Sequence, residues 1–228
     1  MTTSAVTIAE ARSIFGQYML APEDVARVLA ASSRDLAVPA EHLESVPYDR
    51  EALEAGRKRG DVLVYRVAAD GTSPLTILSL LDRFPETVQP QLLKGVGYQL
   101  KDEWTVTGEP FAGTTTCRTG WRLVHGAPVP STCNCTYDQQ TAALARYAES
   151  LGLAERLTRR SAVEIVYDTI MLGRAHGARL LERAWDWSDT PTQDGGFATV
   201  GEFGADGLKM VGYSRAVRFG NLGVCPQQ

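Results

Sequence analysis

The sequence has few of the features that mark the more specialised classes of protein. Its 228 residues contain only 4 cysteines, too few for a disulfide scaffold in a chain of this length. No stretch approaches the ~20 apolar residues needed to cross a bilayer, and the N-terminus lacks the basic and apolar regions of a signal peptide. We therefore expect no membrane partner and a cytoplasmic location, where the cysteines would remain thiols.

An excess of positive charge is also missing. The formal net charge is −4, and only 22% of the residues are charged. A broad basic surface for duplex nucleic acid is therefore not expected. With 44% hydrophobic residues, the composition is that of a globular protein that folds around its own core.

The common catalytic motifs are absent. The sequence contains no G-x-x-x-x-G-K-[ST] phosphate loop, no H-E-x-x-H metalloprotease motif and no G-x-S-x-G nucleophile elbow. GEFGADG, at residues 201–207, does not lead from a strand into a helix and so does not match a dinucleotide-binding loop. These absences favour a protein without a cofactor, a resident metal or catalytic activity.

The cysteines nevertheless allow an alternative prediction, a metal site or a catalytic thiol. Cys133 and Cys135 form a C-x-C pair, and Cys117, Cys225 and His125 are further candidates for a thiolate-rich zinc site. His125 could instead act as a base that activates one of the thiols as a nucleophile. Because the pair lacks the second close pair of a zinc knuckle, we predict ordinary thiols and keep a cysteine-dependent enzyme or zinc protein as the alternative.

Residues 1–60 have the pattern of short amphipathic helices. Thr7 and Glu10 have capping-box spacing, Pro22 suits the first turn of a helix, and Pro47 precedes the helical stretch YDREALEAGRKRG. The first predicted strand is DVLVYRVAA, in which β-branched and aromatic residues alternate with others. We therefore predict a helical section at residues 1–60, followed by an α+β domain at residues 61–228.

Helix and strand signals alternate in the second section. Ser73–Pro74 predicts the start of one helix, and residues 86–130 carry the signals of strands and turns, among them a strand ending at His125. Capping boxes at Thr136–Gln139 and Ser161–Glu164 predict two further helices, the last extending to residue 183. Strands separated by glycines then continue to the C-terminus, which is an α+β arrangement.

A series of landmarks follows in the order GWRLVHGAPVPSTCNCTYDQQ, VEIVYDTIMLGRAHGARLLE, WDWSDT, TVGEFGADGL and NLGV. The series is similar to that of a largely uncharacterised bacterial family, over residues 1–228. That family resembles the variable proteins of diversity-generating retroelements, whose C-type-lectin-like C-terminal region carries a hypervariable ligand-binding face. The resemblance implies a C-type-lectin-like domain with a small twisted antiparallel sheet, and binding rather than turnover.

The stretch YSRAVRFGN, between predicted strands at 208–213 and 221–225, is the main functional candidate. A loop displayed between strands can vary without unfolding the core. Its aromatic, guanidinium and amide groups are types enriched in recognition surfaces. We predict that a protein or other macromolecular ligand is bound by Trp187, Glu202, Tyr213, Ser214, Arg215, Arg218, Phe219 and Asn221.

Two alternatives accompany this prediction. In one, the same surface serves assembly in a structural subunit of a phage or mobile element. In the other, the apolar side chains of the stretch simply pack inward, namely Val211, Tyr213, Val217 and Phe219. A further set of apolar positions is expected in the core in either case, namely Val200, Phe203, Leu208, Leu222 and Val224.

Overall fold

The protein has a mixed α+β architecture. A computed structural model describes residues 6–29, 41–85, 106–154, 156–205 and 207–228. Its α-helices are α1 (Ile8–Phe15), α2 (Pro22–Leu29), α3 (Glu41–Glu44), α4 (Arg50–Arg59), α5 (Ile77–Arg83), α6 (Pro110–Thr114), α7 (Tyr137–Ser150) and α8 (Ala162–His176).

The strands are short in the first part of the chain and longer in the last part. They are β1 (Val6–Thr7), β2 (Met19–Leu20), β3 (Ser45–Val46), β4 (Asp61–Arg66), β5 (Ala69–Asp70), β6 (Ser73–Pro74), β7 (Gly120–His125), β8 (Trp185–Pro191), β9 (Phe197–Gly204), β10 (Gly207–Tyr213) and β11 (Leu222–Gly223). Among the described residues, no helix combines the length and apolar character required for crossing a membrane.

Two small sheets organise these strands. In the first sheet, β4 lies between β2, which is parallel to it, and β7, which is antiparallel. In the second, the order is β10-β9-β8-β11; β8, β9 and β10 are antiparallel, and the short β11 runs parallel to β8. Separate two-stranded ladders join β1 to β3 and β5 to β6.

Helix α8 lies in the core and contacts both sheets. Every residue from Ala162 to Leu172 is buried, so this helix has no solvent-facing side over three turns. A helix that is buried all round lies in the interior of a larger core. The same hydrophobic cluster includes Phe15 and Leu53 from the first 60 residues and Val200 and Leu208 from the last sheet, so the core packing continues across residue 60.

Local capping signals correctly predicted where three helices begin. The Thr7 hydroxyl accepts the Glu10 N–H at 3.2 Å while the Glu10 carboxylate accepts the Thr7 N–H at 3.0 Å, and Thr136 and Gln139 repeat the exchange. At the start of α8, the carboxylate of Glu164 accepts the backbone N–H of Ser161 at 2.8 Å. These starts depend on residues three positions apart, which is why the sequence reveals them.

Two predicted element boundaries were wrong. Helix α8 does not reach residue 183, because Gly177 adopts a left-handed φ of 69° and ends it at His176. Ser73 and Pro74 do not begin a helix but form β6, and α5 starts later, with Thr76 as its N-cap. Of the predicted strand-and-turn region, residues 106–114 form a helical turn and α6, while residues 86–105 lie outside the described part.

Strand β4 is buried on both faces. All six of its residues are buried, and Arg66 is 0% exposed. Because a buried charge is costly unless it is paired and hydrogen-bonded, this arginine needs partners in the core.

Helix α8 and the C-terminal segment supply those partners. The Arg66 guanidinium donates two bonds to the Asp168 carboxylate, at 2.8 and 2.6 Å, and one bond each to Glu164 and the Gln227 side-chain oxygen, both at 2.6 Å. Burial works to lower the pKa of Arg66, but the charges of Asp168 and Glu164 outweigh it and raise the pKa. Arg66 therefore stays charged and joins the first sheet to α8 and to the chain end.

Arg160 extends these contacts to the second sheet. It is 1% exposed and donates to Asp168 at 2.8 Å and to Asp186 of β8 at 2.8 and 3.1 Å. The other Asp186 oxygen accepts the backbone N–H of Cys225 at 2.8 Å. We call Arg66, Arg160, Glu164, Asp168, Asp186 and Gln227 the buried ion network.

Breaking this network should cost much more than breaking a surface ion pair. We expect Arg66→Met to lower the free energy of unfolding by about 3–5 kcal/mol, because Glu164 would stay buried without its cation and Asp168 would keep only Arg160. Arg50→Met is the matched control, since the Arg50 side chain is 54% exposed and its pairs with Glu10 and Glu54 should be worth under about 1 kcal/mol. Urea unfolding of both variants measures the difference, and equal losses would contradict a structural role for the network.

Candidate functional site

The loop at residues 214–221 joins β10 to β11 and projects from the sheet. Its side chains are exposed, apart from Val217, which is half-buried against the aromatic residues beneath. Phe219 is 38% exposed and is the one large hydrophobic side chain that lies at the surface within the described residues. A loop is therefore present between the two strands with Phe219 at its surface, whereas Val211 and Tyr213 pack inward, as the alternative prediction has it.

Backbone hydrogen bonds hold this loop in place at both ends. The Tyr137 N–H donates to the Arg215 carbonyl at 3.0 Å, and the Asn134 N–H donates to the Phe219 carbonyl at 2.9 Å. The Asn221 side chain donates to the Arg183 carbonyl at 3.4 Å. The side chains of the loop are thus exposed, while its backbone is hydrogen-bonded to Asn134 and to Tyr137 at the start of α7.

An aromatic cluster supports the loop from beneath. The Tyr137 and Phe197 rings are stacked with centroids 4.0 Å apart, and Trp187 meets Tyr137 edge-on at 5.3 Å. Tyr213 links the cluster to the surface, because its ring lies 5.5 Å from that of Phe219. These rigid side chains form a base for the loop and would lose little conformational entropy when a ligand binds.

A groove of about 780 Å³ lies beside the Arg215 end of the loop. The ring of Tyr137 forms part of its floor, with the Arg159 guanidinium 4.1 Å above the ring centroid. Arg215 reaches the same groove and forms an ion pair with Asp138 at its edge. The remaining lining combines apolar and acidic side chains, among them Leu144, Ala148, Glu149, Leu157 and Asp189.

Arg159 differs from the two arginines of the buried ion network. Within the described residues its acceptors are neutral oxygens, including the Trp187 carbonyl at 2.9 Å and the Tyr137 carbonyl at 3.1 Å. Burial lowers the pKa of Arg159, and nearby charges do not fully offset that effect. Its guanidinium joins α7 to β8 and so keeps the groove floor in place.

The structure brings five of the predicted site residues together and places three elsewhere. Ser214, Arg215, Arg218, Phe219 and Asn221 share the exposed loop. Tyr213 is 8% exposed at the end of β10 and supports Phe219 from the side. Trp187 is 0% exposed because its indole packs against Tyr137, and Glu202 lies on β9, paired with Lys209 at 2.7 Å.

Sequence reasoning missed the groove and its residues. Tyr137, Asp138 and Arg159 come from the start of α7 and from the segment before α8, well before the loop in sequence. The capping box at Thr136 signalled the helix start, yet no local pattern indicates that this start would hydrogen-bond to Arg215.

All five of the expected core positions are buried, namely Val200, Phe203, Leu208, Leu222 and Val224.

The cysteines fall into two classes of exposure. Cys117 and Cys225 are buried, whereas Cys133 and Cys135 are half-buried just before α7. In the described ranges, no group of three or more His, Cys, Asp or Glu side chains is arranged to hold a metal ion. In this part of the chain the side-chain partners of His125 are Tyr147 and Asp61 rather than a thiol.

Asp61 and His125 form a buried pair between β4 and β7. The Asp61 Oδ1 lies 3.2 Å from His125 Nδ1, and the other imidazole nitrogen lies 3.0 Å from the Tyr147 hydroxyl. Burial raises the pKa of Asp61 to about 6, although the charge of Arg59 opposes the rise. Burial, assisted by the positive charges of Arg59 and Arg160, lowers the pKa of His125 to about 4.

The two shifts have opposite effects on stability between pH 4 and 6. Asp61 binds its proton more tightly in the folded protein, so its contribution is present below its ordinary pKa of 3.8 and is lost as the pH rises through about 6. His125 binds its proton less tightly when folded, so its contribution is present above 6.5 and is lost as the pH falls through about 4. In the wild type the two dependences offset each other.

Single substitutions should expose each dependence separately. Relative to the wild type, His125→Asn should lose stability as the pH rises from 4 to 6, and Asp61→Asn should gain stability over the same interval. For each variant, the difference from the wild type in free energy of unfolding should change with a slope that approaches about 1.4 kcal/mol per pH unit. Urea unfolding across this range is the measurement, and parallel pH profiles for the three proteins would contradict the assigned shifts.

Comparison of the chain with protein-family models, curated proteins and solved structures finds no match. The geometry of the loop, its aromatic base and the adjoining groove is therefore the basis for a functional proposal.

Proposed function

We propose that this protein is a non-enzymatic binding protein that docks a protein or other macromolecular ligand on the 214–221 loop. The observation that carries the proposal is Phe219, a large aromatic side chain held at the surface on an ordered backbone. Aromatic and arginine side chains contribute most of the binding energy in many interfaces. Phe219 lies beside Arg218 in the chain and shares the loop with Arg215, so one short segment presents all three groups.

Preorganisation supports this proposal. A flexible loop must lose conformational freedom when it binds, whereas this backbone is already held by Asn134 and Tyr137. In the aromatic base beneath it, Tyr137 and Trp187 are buried, and the half-buried Phe197 ring stacks on that of Tyr137. More of the contact energy made by Phe219 would therefore appear as affinity.

The groove provides room for part of the ligand. Its volume of about 780 Å³ falls within the ~300–1,000 Å³ of typical ligand pockets. Arg215 contacts both the groove and the loop, so a ligand on Phe219 would extend across Arg215 into the groove. The apolar wall formed by Leu144, Ala148 and Leu157 would then receive its apolar groups.

The proposal also has a finer form. In it, the second section is C-type-lectin-like and the protein is the hypervariable target of a diversity-generating retroelement. The support is the order of elements, in which α7 and α8 precede the antiparallel β8–β10 and the chain end returns to the sheet as β11. The exposed loop side chains are followed in the chain by fully buried residues such as Leu222 and Val224. Substitutions confined to the loop would therefore spare the core.

Loop-dependent binding is testable with ligands selected from an unbiased displayed protein library. Affinity for these ligands should fall at least about tenfold in Phe219→Ala, because the variant removes the exposed aromatic anchor. Arg118→Ala is the control, since Arg118 is exposed and lies outside both the loop and the groove. Ligands that bind the wild type and Phe219→Ala equally well would contradict the proposed surface.

The hypervariable form has a separate test in the neighbouring DNA. We expect a nearby reverse transcriptase gene and an imperfect copy of the codons for residues 200–225. Sequencing close relatives should show changes concentrated at the exposed loop positions, with the buried Leu222 and Val224 unchanged. Relatives with an invariant loop would overturn the hypervariable form while leaving the binding loop itself open to the selection experiment.

A further inference from the structure

The Cys133–Asn134–Cys135 segment lies directly beneath one end of the loop. The backbone N–H of Asn134, the residue between the two cysteines, donates to the Phe219 carbonyl at 2.9 Å. A Cβ placed on Gly223, just after the loop, would lie 3.0 Å from the Cys133 sulfur. The cysteine pair therefore adjoins the part of the loop that presents Phe219.

Both thiols are reduced and accessible from the surface. Cys133 and Cys135 are half-buried, in contrast to the buried Cys117 and Cys225. Their sulfurs make only long contacts with backbone carbonyls, at 3.9 Å to Val129 and 3.8 Å to Ser131. Rotating either side chain would lose little hydrogen-bond energy, because thiols are weak donors.

The backbone between the two cysteines is turned. Asn134 has a φ of 54°, in the left-handed region that asparagine tolerates better than most residues. Burial and, secondarily, the charge of the neighbouring Cys135 raise the pKa of Cys133, which is consistent with two adjacent sulfurs. A disulfide needs the two Cβ atoms to lie within about 4.5 Å of each other. A turned backbone brings side chains two residues apart toward that separation, so that the disulfide would close a small ring.

We propose that Cys133 and Cys135 form a reversible thiol–disulfide site that changes how the Phe219 end of the loop is held. Closure of the ring encloses Asn134, so the peptide that donates to Phe219 must reorient. The Arg215 end has its own hydrogen bond from Tyr137, outside the ring, and stays in place. Oxidation therefore acts on one end of the loop.

The oxidant is an external low-molecular-weight disulfide. The Cys135 thiolate attacks one of its sulfurs, forming a mixed disulfide and releasing one thiolate. The Cys133 thiolate then attacks the Cys135 sulfur, which forms the internal bridge and releases the second thiolate. The two cysteine protons end on the two released thiols, and two electrons pass from the protein to the oxidant.

Oxidised glutathione is the probe for the complete chain. After treatment, the intact mass should fall by two hydrogen atoms, and peptide mapping should locate the bridge between Cys133 and Cys135. Backbone amide exchange, measured by NMR, should become about tenfold faster for Asn134, because its N–H loses the Phe219 acceptor. The Tyr137 amide is the internal control and should keep its exchange rate.

Three variants complete the experiment. Cys133→Ser should stop at the mixed disulfide on Cys135 and gain the mass of one glutathionyl group, Cys135→Ser should not lose two hydrogen atoms, and neither should show the faster Asn134 exchange, whereas Cys117→Ala should behave as the wild type. Circular dichroism first checks that every variant is folded. An unchanged wild-type mass, a bridge at other cysteines, or a bridge without a change in Asn134 exchange would each overturn the proposal. These readouts need no ligand, so they remain decisive even if the proposed binding function fails.

Discussion

The buried ion network is the interaction on which the rest of the structure depends. Arg66 comes from the first sheet, Asp168 from α8 and Asp186 from the second sheet, so the charges join parts that are distant in sequence. An unpaired charge in a protein core costs several kcal/mol, whereas the hydrophobic effect is non-directional. The network therefore favours the arrangement of the two sheets and the central helix in which these charges are paired.

That arrangement also determines the position of the loop. Asp186 precedes Trp187 on β8, and its carboxylate holds the backbone of Cys225 just after β11. The two parallel strands that flank the end of the loop are thus connected to the central charges. From the other side, Arg159 and Tyr137 attach α7 to β8 and complete the base under Phe219. A rigid interior and an exposed loop are consequences of the same contacts.

The candidate site shows how far the sequence could be interpreted. The exposed loop and its flanking core positions followed from turn residues and alternation, which are local properties. Trp187 was predicted at the surface because aromatic side chains are common in interfaces, yet the first four residues of β8, 185–188, are all buried. The burial of Arg66 was not predicted, since its partner Asp168 is more than one hundred residues away in the chain.

The starts of α1, α7 and α8, the strands at the end of the chain and the apolar positions of the last sheet were thus determined by the sequence, because capping and alternation act over a few residues. The end of α8 at Gly177, the burial of Arg66 and Trp187, and the groove beside Arg215 were decided only by the tertiary structure. The physical reason is that burial and electrostatic pairing depend on which surfaces meet. For the cysteine pair, the sequence shows two neighbouring thiols, and the fold shows that the residue between them holds the loop.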